Sequence, residues 1–511
     1  LADAPVPIRV DNRIRIWRPR LSEEEIAAIK SLFSHANPKA AKLRAMGYRY
    51  DHRKEPRAYE TWDEGPEWLS VSRGGMGRVR TALRDRALSV KDERTDGEFD
   101  WSTVDGWRWP EKLRNKDGSE RTLWEDQERV VAACSAKQNC LIRSGTASGK
   151  TSSLIALAVR LRVPALFVVW EGGLFRQWVE RLQDELGLAR AWIGRYGSGT
   201  KVLSPLTVGM QQTISRVADP KFFRLWGYVA ADEVQRFGAD SFVKSIDPFP
   251  ARYRIGASAD ERRADGKDFL IYDQFGAVAI EVAHAELVEK GRVLPVPFRV
   301  IPTGWRPDVP EGEEEFWRAS GAEPPVDSSD WGSVCDAMED SRARTLLAVE
   351  AAAGYAREGH KVLVFSLRVG HCREIDQRLA GMGVRTGLLI GGAEYRPAYE
   401  ETKEGLRSGR IQVGVGTVQA VGQGLDFPEV DRGVVAMPIA ENRSMLGQVK
   451  GRICRMREGK DAEVSYLWDQ AVWPGHLAKL AKVADGCLVK LGSGWVDPKE
   501  WRAAKRGMMR G

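Results

Sequence analysis

Two kinds of hydrophobic run alternate along this chain. Short unbroken stretches, such as CLI at 140–142, the LWGYVAA that leads into Asp232, and KVLVFS at 361–366, have the length of strands. Strands buried on both faces of a parallel sheet read as continuous apolar runs of this kind. Longer stretches, SSLIALAVRL after Thr151 and RARTLLAVEAAAGYAREGH from Arg342, suit helices. Strands that alternate with helical segments predict an α/β fold with parallel sheets. Near the start, RPRLSEEEIAAIKSLF places Ser22 three residues before Glu25, a capping-box pattern that predicts a helix beginning there.

Length and composition narrow the classes. A chain of 511 residues exceeds what one hydrophobic core supports, so two to four domains are expected. Hydrophobic residues at 43% and charged residues at 29% are ordinary for a globular protein and exclude disordered or collagenous classes. The formal charge of +7 suits a polyanionic partner, although it equally describes a mixed solvated surface. The stretch Leu154–Val169 is broken by Arg160, Arg162 and Pro164, so no membrane span is expected, and LADAPVPIRVDNRIRIW has no apolar core of signal-peptide length. Cys134, Cys140, Cys335, Cys372, Cys454 and Cys487 form no CxxC pair and do not cluster with histidines. Neither disulfides nor zinc are indicated, and the cytoplasm (nucleoid or host cytoplasm) is the expected compartment.

The candidate chemistry begins at Asn139, where the apolar run gives way to SGTASGKT and then a helix. In Ser144, Gly145, Thr146, Ala147, Ser148, Gly149, Lys150 and Thr151 the glycines let backbone N–H groups wrap a phosphate at the positive end of the following helix. Lys150 would reach the β- and γ-phosphates, and Thr151 would place its hydroxyl on Mg²⁺. Ser144 stands where the general pattern has Gly. Downstream, Asp232 and Glu233 end a second apolar run. Asp232 would hold Mg²⁺ through water, and Glu233 would polarise the attacking water of ATP hydrolysis.

With these two boxes in place the chain resembles the superfamily 2 helicases, and further motifs fall in that family's order from about residue 120 to 457. LWEDQERVV resembles the element whose glutamine, here Gln127, reads adenine; FVVWEGGLFRQWVERL resembles motif Ia, with Trp170 and Glu171 for the usual Pro-Thr; LTVGMQQTI resembles the next strand-end motif. RIGASADERRADG resembles motif III of the XPB-like branch, with Asp260 in place of Thr. VGVGTVQAVGQGLDFPEV resembles motif V, with Thr417, Gly424 and Asp426 at matching positions, and QVKGRICR matches motif VI. The resemblance implies that Gln448, Arg452 and Arg455 serve catalysis, the arginines reaching the γ-phosphate. It also implies that Gly424 and Asp426 join the nucleotide site and that Gln177 and Thr417 touch nucleic acid. The fourth Walker B residue is Gln235, where relatives carry His or Asp.

The implied architecture is two tandem RecA-like P-loop domains with parallel sheets, preceded by a small α+β domain. The expected boundaries are an N-terminal recognition domain at 1–110, the first RecA-like domain at 111–300, a linker or surface insertion at 301–335, the second RecA-like domain at 336–484, and a basic C-terminal tail at 485–511. The aromatic and basic text of the first segment is similar to the N-terminal module of UvsW-type phage branch-migration helicases. There Arg73, Arg78 and Arg80, beside Gly74 and Gly75, would approach phosphates, and Trp62 or Trp68 would either stack on bases or fill the small core. The tail, with Trp495 and Trp501 among Lys499, Arg502, Lys505, Arg506 and Arg510, reads either as a frayed terminus or as a strand-gripping extension. The kinship implies ATP and Mg²⁺ as cofactors and single-stranded, forked or branched DNA as partner, with 3′ to 5′ movement. A double-strand translocase, an RNA helicase and a nucleic-acid-binding scaffold with a silenced ATPase remain as alternatives.

Overall fold

The computed structural model describes residues 4–508 except 41–55, 116, 146, 264, 307–330, 393, 423–426, 428 and 440–442. Two compact units divide the chain: Leu1–Gly145 with Gly149–Ala283, and His284–Gly511, with which Thr146–Ser148 are grouped.

The first unit is built on an eight-stranded sheet. In spatial order its strands are Thr200–Val202, Ile193–Gly197, Leu206–Met210, Ala165–Val169, Tyr228–Asp232, Tyr253–Ser258, Asn139–Ser144 and Val278–Val282. Every neighbour pair is parallel except the edge hairpin of Ile193–Gly197 with Thr200–Val202. Ala165–Val169 and Tyr228–Asp232 are buried at every position, as strands covered on both faces must be. The core beside them holds Trp226, Phe237, Phe242, Phe249 and Phe275.

The amino-terminal segment folds onto this unit as a five-stranded sheet in the order Trp62–Glu64, Trp68–Ser72, Arg13–Trp17, Val6–Val10, Leu88–Asp92. Arg13–Trp17 alternates buried and half-buried positions, the signature of a sheet with one face on a core. Ile14 and Ile16 pack there with Ile26, Ile29 and Phe33. The predicted capping box is present: Glu25 N–H donates to Ser22 Oγ at 3.1 Å, and Ser22 N–H donates to the Glu25 carboxylate at 2.8 Å. Trp62 and Trp68 are half-buried within this module. The Trp62 indole donates to Ser34 Oγ, and Trp68 meets Trp17 edge-on with Arg9 over its face.

A buried polar seam joins the module to the sheet. Asp273 accepts hydrogen bonds from Thr61 Oγ1 at 2.6 Å, from His35 Nε2 at 2.9 Å and from Arg78. Arg254, fully buried, donates to the Asn12 carbonyl at 3.1 Å and to Gln274 Oε1 at 3.2 Å. Gly74 lies so close to the main chain of the motor sheet that an added Cβ would sit 2.3 Å from the Tyr272 carbonyl and 2.4 Å from the Gly276 nitrogen. The 1–110 segment is therefore a sheet of its own fastened to the motor domain within one compact unit.

The second unit carries another eight-stranded sheet, ordered Thr386–Leu389, Val413–Thr417, Val362–Ser366, Arg432–Val435, Glu463–Trp468, Phe298–Pro302, Cys487–Leu491, Gly494–Val496. Its last two strands form an antiparallel hairpin, and the other recorded pairs are parallel. Two sequence boundaries shift as a result. Phe298–Pro302, expected to close the first RecA-like domain, pairs with Glu463–Trp468 in the second. Residues expected as a tail extend this sheet through Cys487–Leu491 and Gly494–Val496, then form the helix Pro498–Met508. Trp501 is buried against Trp468, with ring centres 4.9 Å apart, so the segment folds because it has an apolar anchor to cover. The fold is that of two tandem RecA-like domains with a small α+β module at the front. No described helix is long and apolar enough to cross a membrane.

Candidate functional site

Parallel pairing brings the candidate residues of the first unit to one edge. Arg143 pairs with Ser258 and Asp232 with Ala257, so Ser144, Asp232 and Ser258 all lie at the carboxyl ends of adjacent strands. Open α/β sheets bind ligands at that edge.

The phosphate loop leaves the strand Asn139–Ser144 and enters the helix Lys150–Leu161. Ala147 and Gly149 have φ of +68° and +81°. At Gly149 a side chain is excluded twice, by the left-handed backbone and by Gln127 Nε2, which an added Cβ would meet at 2.3 Å. Lys150 turns its ammonium back onto the loop, donating to the Ser144 carbonyl at 2.7 Å and the Gly145 carbonyl at 3.1 Å. It lies 3.9 Å from Glu233 Oε1. Thr151 follows in the first turn of the helix. Thr146 lies outside the described residues.

Asp232 is buried, accepting from the Trp178 indole N–H at 3.0 Å and from the Glu233 backbone N–H at 3.0 Å. Burial, and then the charge of Glu233, push its carboxyl above the usual aspartate range, against the pull of Lys150. A cation favours the ionised form, so this carboxylate suits a metal ion as counter-charge. Glu233 sits in the left-handed region at φ +53°, a conformation uncommon for a non-glycine residue. Its carboxylate accepts from Gln235 Nε2 at 2.6 Å, while Gln235 Oε1 lies 2.7 Å from Ser258 Oγ. The Ser258 hydroxyl also lies 2.6 Å from the Asp260 carbonyl, and its single hydrogen serves one acceptor at a time. Asp260, the departure in motif III, forms a salt bridge with Arg262 at 2.8 Å.

A nucleotide with Mg²⁺ fits these residues. Gln127 is buried with its Oε1 occupied by the Trp124 N–H at 3.1 Å, and its Nε2 has no acceptor among the described residues. An orphaned amide donor beside the loop glycine is available to a purine ring acceptor. The Ser148 hydroxyl is likewise buried without a partner.

The motif VI residues are fixed within the second unit. Gln448 and Arg452 ride on the helix Arg443–Ile453, and Arg455 follows it. Lys450 in the same motif is buried and donates to the Val483 carbonyl at 2.9 Å and to Asp485 Oδ1 at 2.8 Å. Asp485 also accepts from the Val296 N–H at 2.7 Å and from His284 at 3.1 Å. The backbone beyond the helix is held by Leu294 N–H donating to the Cys454 carbonyl at 2.8 Å and by a bridge between Val293 and Arg455. Thr417 ends the strand Val413–Thr417 and is buried, its hydroxyl accepting from the Ala420 N–H at 3.3 Å. Gly424 and Asp426 lie outside the described residues. Gln177 is half-buried on the helix Gly172–Leu186.

The three amino-terminal arginines part company. Arg73 is buried and donates to Asn139 Oδ1 at 2.9 Å, the Ala251 carbonyl at 2.6 Å and the Asp11 carbonyl at 3.1 Å. It fastens the module to the motor sheet from a buried position rather than from the surface, and its Nη2 has no partner among the described residues. Gly74 and Gly75 are likewise turned inward, the second against the Phe33 ring. Arg78 pairs with Asp273 across the same seam, and only Arg80 is exposed. Sequence reasoning missed Trp178, because Phe175, Trp178, Val179 and Leu182 share the spacing of a core-facing helix stripe and nothing local marks one of them as reaching a carboxylate.

This edge of loop, lysine and paired acids defines a P-loop ATPase on tandem RecA-like domains. No family model matches the chain. The chain is 26% identical over 337 residues to "Probable helicase D10" of Escherichia phage T5, covering 66% of this chain and 68% of that protein. It is 26% identical over 320 residues to the Rad25 protein of Halobacterium salinarum, described as a DNA 3′-5′ helicase, covering 60% of this chain and 48% of that protein, so it spans about half of the archaeal relative. The structure of S. cerevisiae Dbp5 bound to RNA and ADP BeF3 aligns with a TM-score of 0.50 at 14% identity, covering 76% of this chain and 93% of that one, a likeness of fold. The chain is thus similar in sequence to helicases, resembling those of superfamily 2, and is an ATP-hydrolysing enzyme.

Proposed function

We propose that this protein is a DNA motor that uses ATP and Mg²⁺ to unwind or branch-migrate forked and branched DNA, moving 3′ to 5′. The observation that carries the reading is the cluster at one sheet edge in which Glu233 is hydrogen-bonded to Asp232 and Gln235 and ion-paired with Lys150 at 3.9 Å. Phosphoryl transfer calls for a cation on the phosphates, a carboxylate for the metal and a group that orients the attacking water, and these residues supply the matching chemical types. The sequence similarity to the DNA helicase Rad25 supports DNA as the track.

Lys150 would exchange its two carbonyl acceptors for phosphate oxygens, which bind an ammonium more strongly. Mg²⁺, held by Thr151 and by Asp232, would supply charge neutralisation on the phosphates. Glu233, oriented by the Gln235 amide, would accept a hydrogen bond from the attacking water. Arg452 and Arg455 would bring positive charge to the γ-phosphate, and Gln448 would support them. Gln177 and Thr417 would touch the nucleic-acid backbone. Such contacts are made mainly to phosphates, so affinity should fall steeply with salt and depend little on sequence.

The test is ATP hydrolysis by the wild type and Glu233→Gln with no nucleic acid, single-stranded DNA, forked DNA and matched RNA. Stimulation that is strongest with forked DNA and lost in the variant supports the proposal. Equal or stronger stimulation by RNA would move the reading to an RNA helicase, and no stimulation by any of them would leave a binding scaffold.

A further inference from the structure

The amino-terminal module and the motor sheet enclose a cleft of about 500 Å³ at the edge opposite the phosphate loop. Asn139, the first residue of the strand that ends at Ser144, lies on its wall, so the cleft is roughly 16 Å from the loop along a strand rising about 3.3 Å per residue. It is thus a separate place on the same unit.

Its lining is cationic. Arg73, Arg80, Arg94 and Lys137 face a single carboxylate, Asp92. That carboxylate is taken: Arg94 holds it at 2.7 Å and Arg252 at 2.9 Å. Arg80 and Lys137 are both exposed, and neither side chain has an ion pair or hydrogen bond among the described residues. Arg73 is 3% exposed, and while Nε and Nη1 are bonded, Nη2 has no acceptor among the described residues. A buried guanidinium nitrogen without an acceptor costs stability that an anion would recover. Gly77 leaves the wall open, since an added Cβ there would meet nothing within 4 Å.

We propose that this cleft grips the phosphodiester backbone of the nucleic acid on which the motor works, through Arg80 and Lys137 at its mouth and Arg73 within. This rests on the reading of the protein as a nucleic-acid motor and adds a second hold to it, remote from the ATP edge and carried by the unit that contains the phosphate loop. Cations gathered in one cleft suit a phosphate backbone better than a base edge.

The experiment uses the full chain and its Arg80→Glu/Lys137→Glu variant, with Arg80→Gln/Lys137→Gln as a milder pair should charge reversal impair folding. Affinity for labelled forked DNA is measured across a salt series, alongside DNA-stimulated ATP hydrolysis and thermal unfolding with and without inorganic pyrophosphate. The expected result is at least tenfold weaker binding at low salt, with the slope of log affinity against log salt smaller by about one for each contact removed. A folded variant with unchanged affinity and slope, beside a wild type that DNA stimulates, overturns the inference. Pyrophosphate stabilisation that the variant loses, with DNA binding intact, also overturns it and assigns the cleft to a free phosphate compound. A wild type that no nucleic acid stimulates refutes the motor reading itself, a result distinct from the other two.

Discussion

Gln235 Oε1 lies 2.7 Å from Ser258 Oγ, joining the end of the Asp232 strand to the end of its neighbour. Because the other end of the same amide holds Glu233 at 2.6 Å, any shift at Ser258 is felt at the glutamate. Gln235→Ala should lower nucleic-acid-stimulated kcat about tenfold, the scale of one charge-assisted hydrogen bond. ATP affinity should change little, because the Gln235 side chain is hydrogen-bonded to Glu233 and Ser258 and, among the described residues, not to the loop. Steady-state kinetics would check this, and a loss confined to KM would contradict it. Ser258→Ala should have a smaller effect of the same kind.

Lys150→Ala should abolish turnover while leaving nucleic-acid binding without ATP nearly intact. Arg455→Ala should spare ATP binding and slow hydrolysis, by about a thousandfold if the residue acts as an arginine finger. Equilibrium nucleotide binding together with single-turnover hydrolysis separates the two effects. Undiminished hydrolysis in either variant would sink the assignment of the site.

Gln127 should govern the choice of base. With its Nε2 unpartnered and buried beside Gly149, Gln127→Ala should raise KM for ATP several-fold and leave KM for a pyrimidine triphosphate nearly unchanged. Gly149→Ala should be more damaging, since it adds backbone strain of about 1–3 kcal/mol to a clash with Gln127. Comparing ATP and CTP kinetics across the two variants checks both.

Asp485 anchors the motif VI helix and gives it an acid limit. Burial alone would raise its pKa, but the bonds from His284, Lys450 and the Val296 N–H hold it at about 2 against an ordinary 3.8. A carboxyl lowered on folding stabilises above its unfolded value, so this contribution is complete above pH 4 and is lost as pH falls towards 2. The shift corresponds to about 2 kcal/mol. Asp485→Asn should lower thermal stability at pH 7 and flatten its dependence on pH between 4 and 2. An unaltered acid limb in the variant would contradict this.

The sequence announced those features whose physics is local. The run into Asp232 and KVLVFS read as strands because burial on both faces leaves no polar position to confuse the pattern. SGTASGKT was recognisable because its glycines and lysine are dictated by a short loop. The burial of Arg73 and Gly74 was not legible for the opposite reason: a basic turn looks the same in sequence whether it lies on the surface or against the main chain of a neighbouring sheet, and the Cβ space at Gly74 shows the second. The carboxyl-terminal segment also hid its fold, because Phe298–Pro302 and Cys487–Leu491, which pair side by side, stand nearly 190 residues apart. The Trp178 bond to Asp232 spans 54 residues and carries no mark in the chain.

The close approach of Gly74 to the motor backbone also bears on how such a protein diversifies. A module hung on a linker can be exchanged for another without disturbing its host. Here the host keeps Arg254 and Asp273 in its interior on the understanding that Asn12, His35, Thr61 and Arg78 will complete them. A variant without the first hundred residues would leave those two positions without these partners, so the front of the chain completes the interior of the engine rather than merely decorating it.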